Sequence, residues 1–240
     1  MPRARVDNEQ AYILHTYPYR ETSLLVEAFS RTHGRIPLIA KGARRPRSAL
    51  RGMLLSFQPL LLTWSGKGEV RLLSRVEWQG GRPMLEGDAL LCGFYLNELL
   101  LRLLAREDPH ESLFDAYGNA LDHLATGESP APILRSFEKQ LLRELGYALT
   151  LDRDARSGAA IDPEQTYAYE IERGPVAVDE IERATDVTLS GRALIDIAHD
   201  DYSHPMTLAQ SKTLMRLLIN HRLENRPLHS RRIFTDLQSL

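Results

Sequence analysis

The stretch AYILHTYPYRETSLLVEAFSRTHGRIPLIAK, residues 11–41, decides the fold of the front of this chain. It contains three short runs of apolar and β-branched residues, at 11–17, 23–30 and 35–41, and polar or glycine-bearing turns separate them. Short apolar runs between turn residues are typical of β-strands. The stretch therefore predicts three consecutive strands.

Two more strand-like runs follow. LLLTW (60–64) and EVRLLSRVEW (69–78) lie on either side of the turn SGKG (65–68), which predicts a hairpin. Five short strands within about 70 residues are typical of a small Greek-key barrel such as an OB-fold. A small SH3-like barrel fits the same strands nearly as well.

Helical periodicity replaces the strand pattern after the turn GGRP at 80–83. The sequence therefore predicts two domains, 1–80 and 81–240, and an α+β fold in which a β-barrel precedes an α-helical domain. The first helix is apolar nearly all round, which predicts a central place in a helical bundle. The predicted elements are helices over 88–106, 111–125, 130–145, 190–198 and 207–224, with a capping box formed by Thr207 and Gln210, and a minor β-hairpin over 166–178.

Charge is distributed unevenly along the chain. Residues 1–80 hold 13 Lys and Arg against 6 Asp and Glu, a net charge of +7, whereas residues 81–240 hold 17 against 26, a net charge of −9. Between Ala28 and Gly68 there are eight Lys or Arg and no Asp or Glu. A local cationic segment on a chain of net charge −2 indicates a polyanionic partner.

Arginine dominates this cationic segment, and its planar guanidinium binds phosphate oxygens and stacks on bases. A solvated charged surface is the alternative. Exposed rings would strengthen single-strand binding, although core or turn packing is the favoured interpretation of each ring taken singly. The predicted nucleic-acid-binding residues are Arg35, Lys41, Arg44, Arg45, Arg47, Arg51, Lys67 and Arg71, and the available rings are Tyr17, Tyr19, Phe57 and Trp64.

A second cationic pattern lies in the third predicted helix, where basic residues recur every four positions beside an apolar row. Taken alone, this pattern favours simple solvation with pairing to Glu138 or Glu144. The alternative is a groove for a peptide that is acidic and has an apolar tip. The predicted groove residues are Arg135, Lys139, Leu142 and Arg143.

Motifs for catalysis and nucleotide binding are missing. In SGKG (65–68), Gly68 follows Lys67 at the position where a Walker A motif requires Ser or Thr, and the chain has no G-x-G-x-x-G, H-E-x-x-H or G-x-S-x-G. We therefore predict a protein without enzymatic activity, cofactor or metal. The enzymatic alternative is a metal-dependent nuclease that uses Asp200 and Asp201.

Cysteine usage and hydropathy favour a reducing cellular compartment and disfavour a membrane location. Cys92 is the one cysteine, so no disulfide framework can form and a reducing environment is the simpler interpretation. Residues 1–10 contain no apolar core of a secretory signal. The most apolar run, 89–104, is interrupted by Asn97, Glu98 and Arg102, which disfavours a membrane span. We predict a cytoplasmic protein.

Several collinear stretches carry a resemblance to a known family. They are YRETSLLVEAFS (19–30), GRIPLIAKGARRPRS (34–48), FQPLLL (57–62), SGKGEVRLL (65–73), YLNELLLRLL (95–104) and RSFEKQLLRELGY (135–147). Through them the chain resembles the RecO family of bacterial recombination mediators and DNA-repair proteins. The resemblance implies an N-terminal OB-fold, an α-helical C-terminal domain and no catalysis of bond chemistry.

The same resemblance implies partners. Proteins of this family bind and anneal single- and double-stranded DNA. They engage RecR and the C-terminal tail of single-stranded DNA-binding protein, so that RecA can load. The resemblance assigns Arg135 to the tail site, and the other groove residues are our extension of it. An RNA-binding OB module remains the alternative, because barrels of this type bind both nucleic acids.

One departure from the family is visible in the sequence. Some members carry a cysteine zinc site after the third helix, whereas the corresponding segment here, TLDRDARSGAAIDP (150–163), has no cysteine. We therefore predict that this segment binds no zinc and is held by other contacts.

Overall fold

The structure is a computed structural model that describes residues 5–147, 149–178, 187–231 and 233. Contacts divide the chain into two compact units. Unit 1 comprises Met1–Pro130 with Leu228–Leu240, and unit 2 comprises Ala131–Pro227.

The predicted five-stranded barrel is confirmed in unit 1. It closes in the order β1-β2-β3-β5-β4, in which β3 and β5 are parallel and the other neighbours are antiparallel. This arrangement is OB-like and decides between the two barrels that the sequence allowed. The strands are β1 (Arg5–Tyr19), β2 (Ser23–Ser30), β3 (Gly34–Ala40), β4 (Leu60–Ser65) and β5 (Arg71–Trp78), and the short helix α1 (Leu50–Met53) lies between β3 and β4.

Alternation along the strands fills the barrel with apolar side chains. Ile13, Val26, Leu38 and Leu62 are fully buried, and Trp64 is almost so. Because successive side chains on a strand point to opposite faces, the residues between these core positions lie on the outside of the barrel.

Two helices of unit 1, α2 (Gly87–Leu103) and α3 (Glu111–Ala125), pack with the barrel. Asn97 in α2 donates a hydrogen bond of 2.8 Å to the carbonyl oxygen of Leu14, next to a register shift in β1, and accepts one of 2.5 Å from the Tyr117 hydroxyl. The rings of Phe114 and Tyr117 lie 5.1 and 5.0 Å from the ring of Tyr12. The place predicted for α2, the centre of a helical bundle, was therefore wrong.

The segment after the predicted domain boundary is bound to unit 1. The Arg82 guanidinium donates hydrogen bonds to Asp122 (2.7 Å) and to the carbonyl oxygens of Phe57 and Gly118 (3.0 Å each). The compact units divide at 130/131, and the boundary at 80/81 stays a prediction.

Unit 2 combines helices with a small sheet. The predicted hairpin is confirmed as β6 and β7, and β8, which the sequence analysis missed, joins the other side of β6. The Ser190 hydroxyl accepts a hydrogen bond of 3.2 Å from the backbone N of Ala193, as expected of a helix cap. The elements are α4 (Pro130–Glu144), β6 (Thr166–Glu170), β7 (Gly174–Ala177), β8 (Thr188–Ser190), α5 (Gly191–Ala198) and α6 (Pro205–Arg222).

The capping box predicted for the last helix was wrong. α6 begins before Thr207, and His204 is its N-cap. The Thr207 hydroxyl donates to Asp196 at 2.8 Å, while Gln210 Oε1 accepts a hydrogen bond of 2.9 Å from the backbone N of Ser190. Both side chains are thus bonded to distant parts of unit 2, which a local sequence motif does not reveal.

One carboxylate orders the cysteine-free segment 150–163. Asp154 Oδ1 accepts hydrogen bonds from the backbone N of Ser157 (2.6 Å) and Arg156 (2.9 Å), and Oδ2 accepts one from the backbone N of Ala177 in β7 (2.6 Å). These bonds, that from Ser157 foremost, lower the pKa of Asp154 to about 2. The carboxylate therefore cross-links the segment to the sheet.

We expect Asp154→Ala to lower the free energy of unfolding by about 1–3 kcal/mol at pH 7, because three backbone N–H groups lose the acceptor of a part-buried hydrogen bond. The pKa of Asp154 is lower in the folded protein than the ordinary value of about 3.9. Its stabilisation is therefore present above about pH 4 and lost as the pH falls through about 2. Urea unfolding at pH 7, 4 and 2.5 measures both effects.

Asp152→Ala is the matched control, since Asp152 lies two residues away and its side chain is exposed. It should leave stability unchanged at each pH. The role given to this carboxylate would be contradicted if Asp154→Ala were as stable as the parent at pH 7. It would also be contradicted if the difference in unfolding free energy between the two proteins grew as the pH falls.

Candidate nucleic-acid interface

The basic loop, residues 41–51, leaves the end of β3 and exposes its cations. Hydrogen bonds from the backbone N of Arg45 to Gly42 O (3.1 Å) and of Ser48 to Arg45 O (3.0 Å) give it a turn structure. Within the described residues, none of its basic side chains forms an ion pair. The exposed cations are Lys41, Arg44, Arg45, Arg47 and Arg51.

The basic loop is fixed to the turn between β1 and β2. The backbone N of Arg44 donates to Thr22 O (2.9 Å), and its guanidinium donates to the carbonyl oxygens of Arg20 (3.2 Å) and Glu21 (3.4 Å). Arg20, whose guanidinium lies 5.3 Å from the centre of the Tyr19 ring, therefore joins this surface. Arg20 was not predicted from the sequence, in which its only signal is its position in the turn between β1 and β2.

Two of the predicted nucleic-acid-binding residues are bonded elsewhere. The Arg35 guanidinium donates to Leu101 O (2.8 Å) and lies 3.6 Å from Glu27, and the Arg71 guanidinium lies 2.9 Å from Glu107. Their side chains are only 16% and 19% exposed. The structure does not bring Arg35 and Arg71 together with the basic loop, and both have carboxylate partners.

A row of side chains crosses the outside of the barrel, and we call it the outer row. The strand registers align Tyr17 of β1 with Leu25 of β2, Leu25 with Ile39 of β3, and Ile39 with Leu72 of β5. These residues alternate with core positions such as Val26, so their side chains lie outside. All four are exposed or half-buried, which makes the row an accessible apolar surface.

Exposed cations lie on both sides of the outer row, several in the basic loop on one side and Lys67 on the other. The basic loop begins two residues beyond Ile39. The hairpin turn 66–70 precedes Leu72, and it leaves the barrel in the opposite direction because β5 runs parallel to β3. Lys67 in this turn is exposed and forms no ion pair within the described residues, although Glu69 lies close by in the chain. Lys67 is thus separated from the basic loop by the outer row.

Of the four rings proposed for stacking, two belong to the core. Phe57 and Trp64 are buried. Tyr19 is half-buried and Tyr17 is 45% exposed. Of these four rings, only Tyr17 and Tyr19 are therefore accessible to a base.

Both parts of the chain match the description of one protein family. The family description "Recombination protein O N terminal" matches residues 5–82, which contain the barrel, and "Recombination protein O C terminal" matches residues 84–232. The chain belongs to the RecO family. This confirms the resemblance noted from the sequence.

Curated RecO proteins match almost the whole chain. It is 57% identical over 238 residues to the DNA repair protein RecO of Aromatoleum aromaticum and 55% identical over 240 residues to that of Azoarcus sp. (strain BH72), with 99% of each chain covered. It is 53% identical over 238 residues to the DNA repair protein RecO of Nitrosospira multiformis, covering 99% of this chain and 98% of the relative. Among the helices that the structure describes, none combines the length and hydropathy needed to cross a membrane.

In this RecO-family chain, the cationic pattern of α4 does not form one exposed row. Arg135 is 8% exposed, and its guanidinium lies 2.8 Å from Glu138. Leu142 is fully buried, whereas Arg143 is exposed. The ion pair of Arg135 was one of the two interpretations that the sequence allowed.

Lys139 interacts with the end of α5. Its ammonium donates hydrogen bonds to the carbonyl oxygens of Ile197 (2.8 Å) and Ala198 (3.2 Å) and lies 2.5 Å from Asp200. A cation is stabilising there, because the last carbonyls of a helix carry partial negative charge. Lys139 therefore links α4 to α5.

The two carboxylates considered for a nuclease have protein partners. Asp200 pairs with Lys139 and accepts a hydrogen bond of 3.4 Å from Tyr202, whose pKa is raised by burial and by Asp200. Asp201 accepts a hydrogen bond of 3.0 Å from the backbone N of Ser203. In the described parts of the chain, no group of three or more His, Cys, Asp or Glu side chains is placed to hold a metal ion.

Lys139→Ala should destabilise unit 2, because two carbonyl oxygens and Asp200 lose their donor. We expect a loss of about 1–3 kcal/mol in the free energy of unfolding. Arg143→Ala, four residues further along α4 and exposed, should change it by less than about 0.5 kcal/mol. Urea unfolding followed by circular dichroism measures both. Equal effects of the two substitutions would contradict the role assigned to Lys139.

Proposed function

We propose that this protein is a non-enzymatic recombination mediator in DNA repair, which binds DNA and promotes annealing of complementary strands. The observation that carries the proposal is the basic loop. It presents five exposed cations that form no ion pair within the described residues, beside an accessible apolar row. DNA phosphates would supply the negative charges that these cations lack as partners.

The surface suits annealing on electrostatic grounds. Two DNA strands repel each other through their phosphates, and cations that neutralise some of them lower this repulsion. The loop cations are solvent-exposed, so their effect should weaken as salt is added. The proposed DNA contacts are Lys41, Arg44, Arg45, Arg47, Arg51 and Lys67, together with Arg20.

Unit 2 is proposed to bind the tail of single-stranded DNA-binding protein. Family resemblance assigns Arg135 to this site, and Arg135 Nε has no hydrogen-bond partner within the described residues. An acidic tail would therefore meet a largely buried cation. Arg143 would add an exposed charge, while Lys139 and Leu142 would support the site from within.

The remaining partners follow from the same proposal. A protein that binds both DNA and the tail of the coat protein is positioned to act on coated DNA. Together with RecR it would open the coat so that RecA can load. We place this activity in the cytoplasm, in keeping with a single buried cysteine, Cys92.

Replacing Arg44, Arg45 and Arg47 together with Ala should weaken binding to all DNA sequences alike. Each lost phosphate contact should lower the slope of log affinity against log salt by about 0.7 for a single strand, so about 2 in total. Fluorescence anisotropy with a labelled 30-nucleotide strand at several NaCl concentrations measures both affinity and slope.

The matched control replaces Arg153, Arg173 and Arg226, which are also exposed but lie near carboxylates in unit 2. This variant should bind DNA as the parent does. Unchanged affinity after substitution in the basic loop would show that the loop is only a solvated surface. Preference for RNA in competition between matched DNA and RNA strands would favour the RNA-binding alternative.

Arg135→Ala should weaken binding to the coat protein's C-terminal tail peptide by about tenfold or more and leave naked-DNA affinity unchanged. Because Arg135 pairs with the buried Glu138, Arg135→Ala with Glu138→Ala is the companion variant. It removes both charges and should also fail to bind the peptide. Peptide binding measured by anisotropy, with unfolding followed in parallel, tests this. Equal loss of peptide and DNA binding, or full peptide binding by the folded companion variant, would refute the site.

A further inference from the structure

We propose that Tyr17, with the outer row behind it, is a stacking platform for unpaired bases, so that this face of the barrel takes single strands and leaves their pairing edges exposed. This inference rests on the proposed DNA binding and adds the form of DNA that the surface selects. Its evidence is the exposure of Tyr17, its position between cations and the chemistry of base stacking.

The Tyr17 ring is accessible and supported. It is 45% exposed, and the His15 ring lies 4.4 Å away at an angle of 63°. Its neighbour across the strand pair is Leu25, which is half-buried. A side chain held from two directions loses little rotamer freedom when a base stacks on its open face.

The outer row extends this platform across four strands. Neighbouring strands are about 4.8 Å apart, so the row from Tyr17 to Leu72 is roughly 14 Å long. It is apolar throughout and half-buried beyond Tyr17. A chain of nucleotides laid along it would place bases on apolar side chains.

Within the described residues, the helices of unit 1 cover another part of the outer barrel and leave the Tyr17 ring exposed. The Phe29 ring, on the outside of β2, lies 5.5 Å from the Phe114 ring of α3 and is fully buried. Tyr17, by contrast, is near the end of β1 and close to the turn that carries Arg20. Unit 1 thus covers one part of the outer barrel with α3 and leaves open the part beside the basic loop.

Cations on both sides of the outer row suit the sugar-phosphate backbone. Arg44 lies beyond one side, where it bonds to the β1–β2 turn, and Lys67 lies beyond the other. A strand could therefore rest its bases on the apolar row while its phosphates meet the flanking charges. Single-strand binders commonly combine a positive groove with stacked bases.

Stacking on Tyr17 requires an unpaired base, because bases within a duplex are already stacked on their neighbours. A base that stacks uses its π-face and keeps its hydrogen-bonding edge open. The platform would therefore hold a single strand in a form that a complementary strand can pair with. This links the choice of single strands to annealing.

The test compares three ligands of equal length and a set of variants. The ligands are an oligo-dT strand, an abasic strand with the same phosphates, and a duplex. We expect the parent protein to bind oligo-dT about tenfold more tightly than the abasic strand, a factor within the range for one stacked base. Tyr17→Ala should erase this difference while leaving duplex affinity and the salt slope unchanged, and should slow annealing of complementary strands. Tyr17→Phe should behave as the parent.

Trp78→Ala is the matched control, because Trp78 is the most exposed ring of the barrel, at 60%, and lies six residues along β5 from Leu72. It should bind all three ligands normally. If the basic-loop variant loses affinity but Tyr17→Ala does not, or if Tyr17→Ala weakens all ligands alike, the platform is refuted and the proposed function stands. If neither variant loses affinity, the proposed function itself fails.

Discussion

Parallel pairing between β3 and β5 is the constraint on which the candidate interface depends. It joins Ile39 to Leu72 and closes the barrel. Because the two strands run in the same direction, the chain leaves β3 on one side of this contact and enters β5 from the other. The basic loop and the hairpin turn at 66–70 are therefore held on opposite sides of the outer row. An antiparallel contact would place both connections on the same side.

Within the described part of unit 1, ion pairs between residues distant in sequence neutralise some of the cations and leave others unpaired. Arg31, Arg71 and Arg82 each contact a carboxylate from the segment 107–122, while Glu27 pairs with Arg106. These ion pairs neutralise arginine side chains where residues 106–122 pack against the rest of unit 1. The cations of the basic loop have no carboxylate partner within the described residues. The positive field is consequently concentrated beside the outer row rather than spread over the barrel.

The sequence predicted the barrel, the helices and the basic loop because these depend on local periodicity and composition. It did not separate Arg35 and Arg71 from the loop cations, since their partners Glu27 and Glu107 are brought near only by folding. Nor did it identify the accessible ring, because Tyr17 and Trp64 both occupy strands and only the register decides which one faces outward. The hydrogen bond from Asn97 of α2 to the Leu14 carbonyl of β1 is another long-range contact that no helical pattern encodes.

The segment 150–163 shows how a loop can be ordered without cysteine ligands. A zinc site joins distant side chains through one ion, whereas Asp154 joins backbone donors of its own loop to β7 through one carboxylate. Both devices supply a charged centre that several partners share. The partners of this carboxylate in the cross-link are backbone N–H groups, which every residue except proline has. The cross-link therefore requires one specific side chain, that of Asp154. The loop is therefore anchored to β7 through main-chain N–H groups that share one carboxylate.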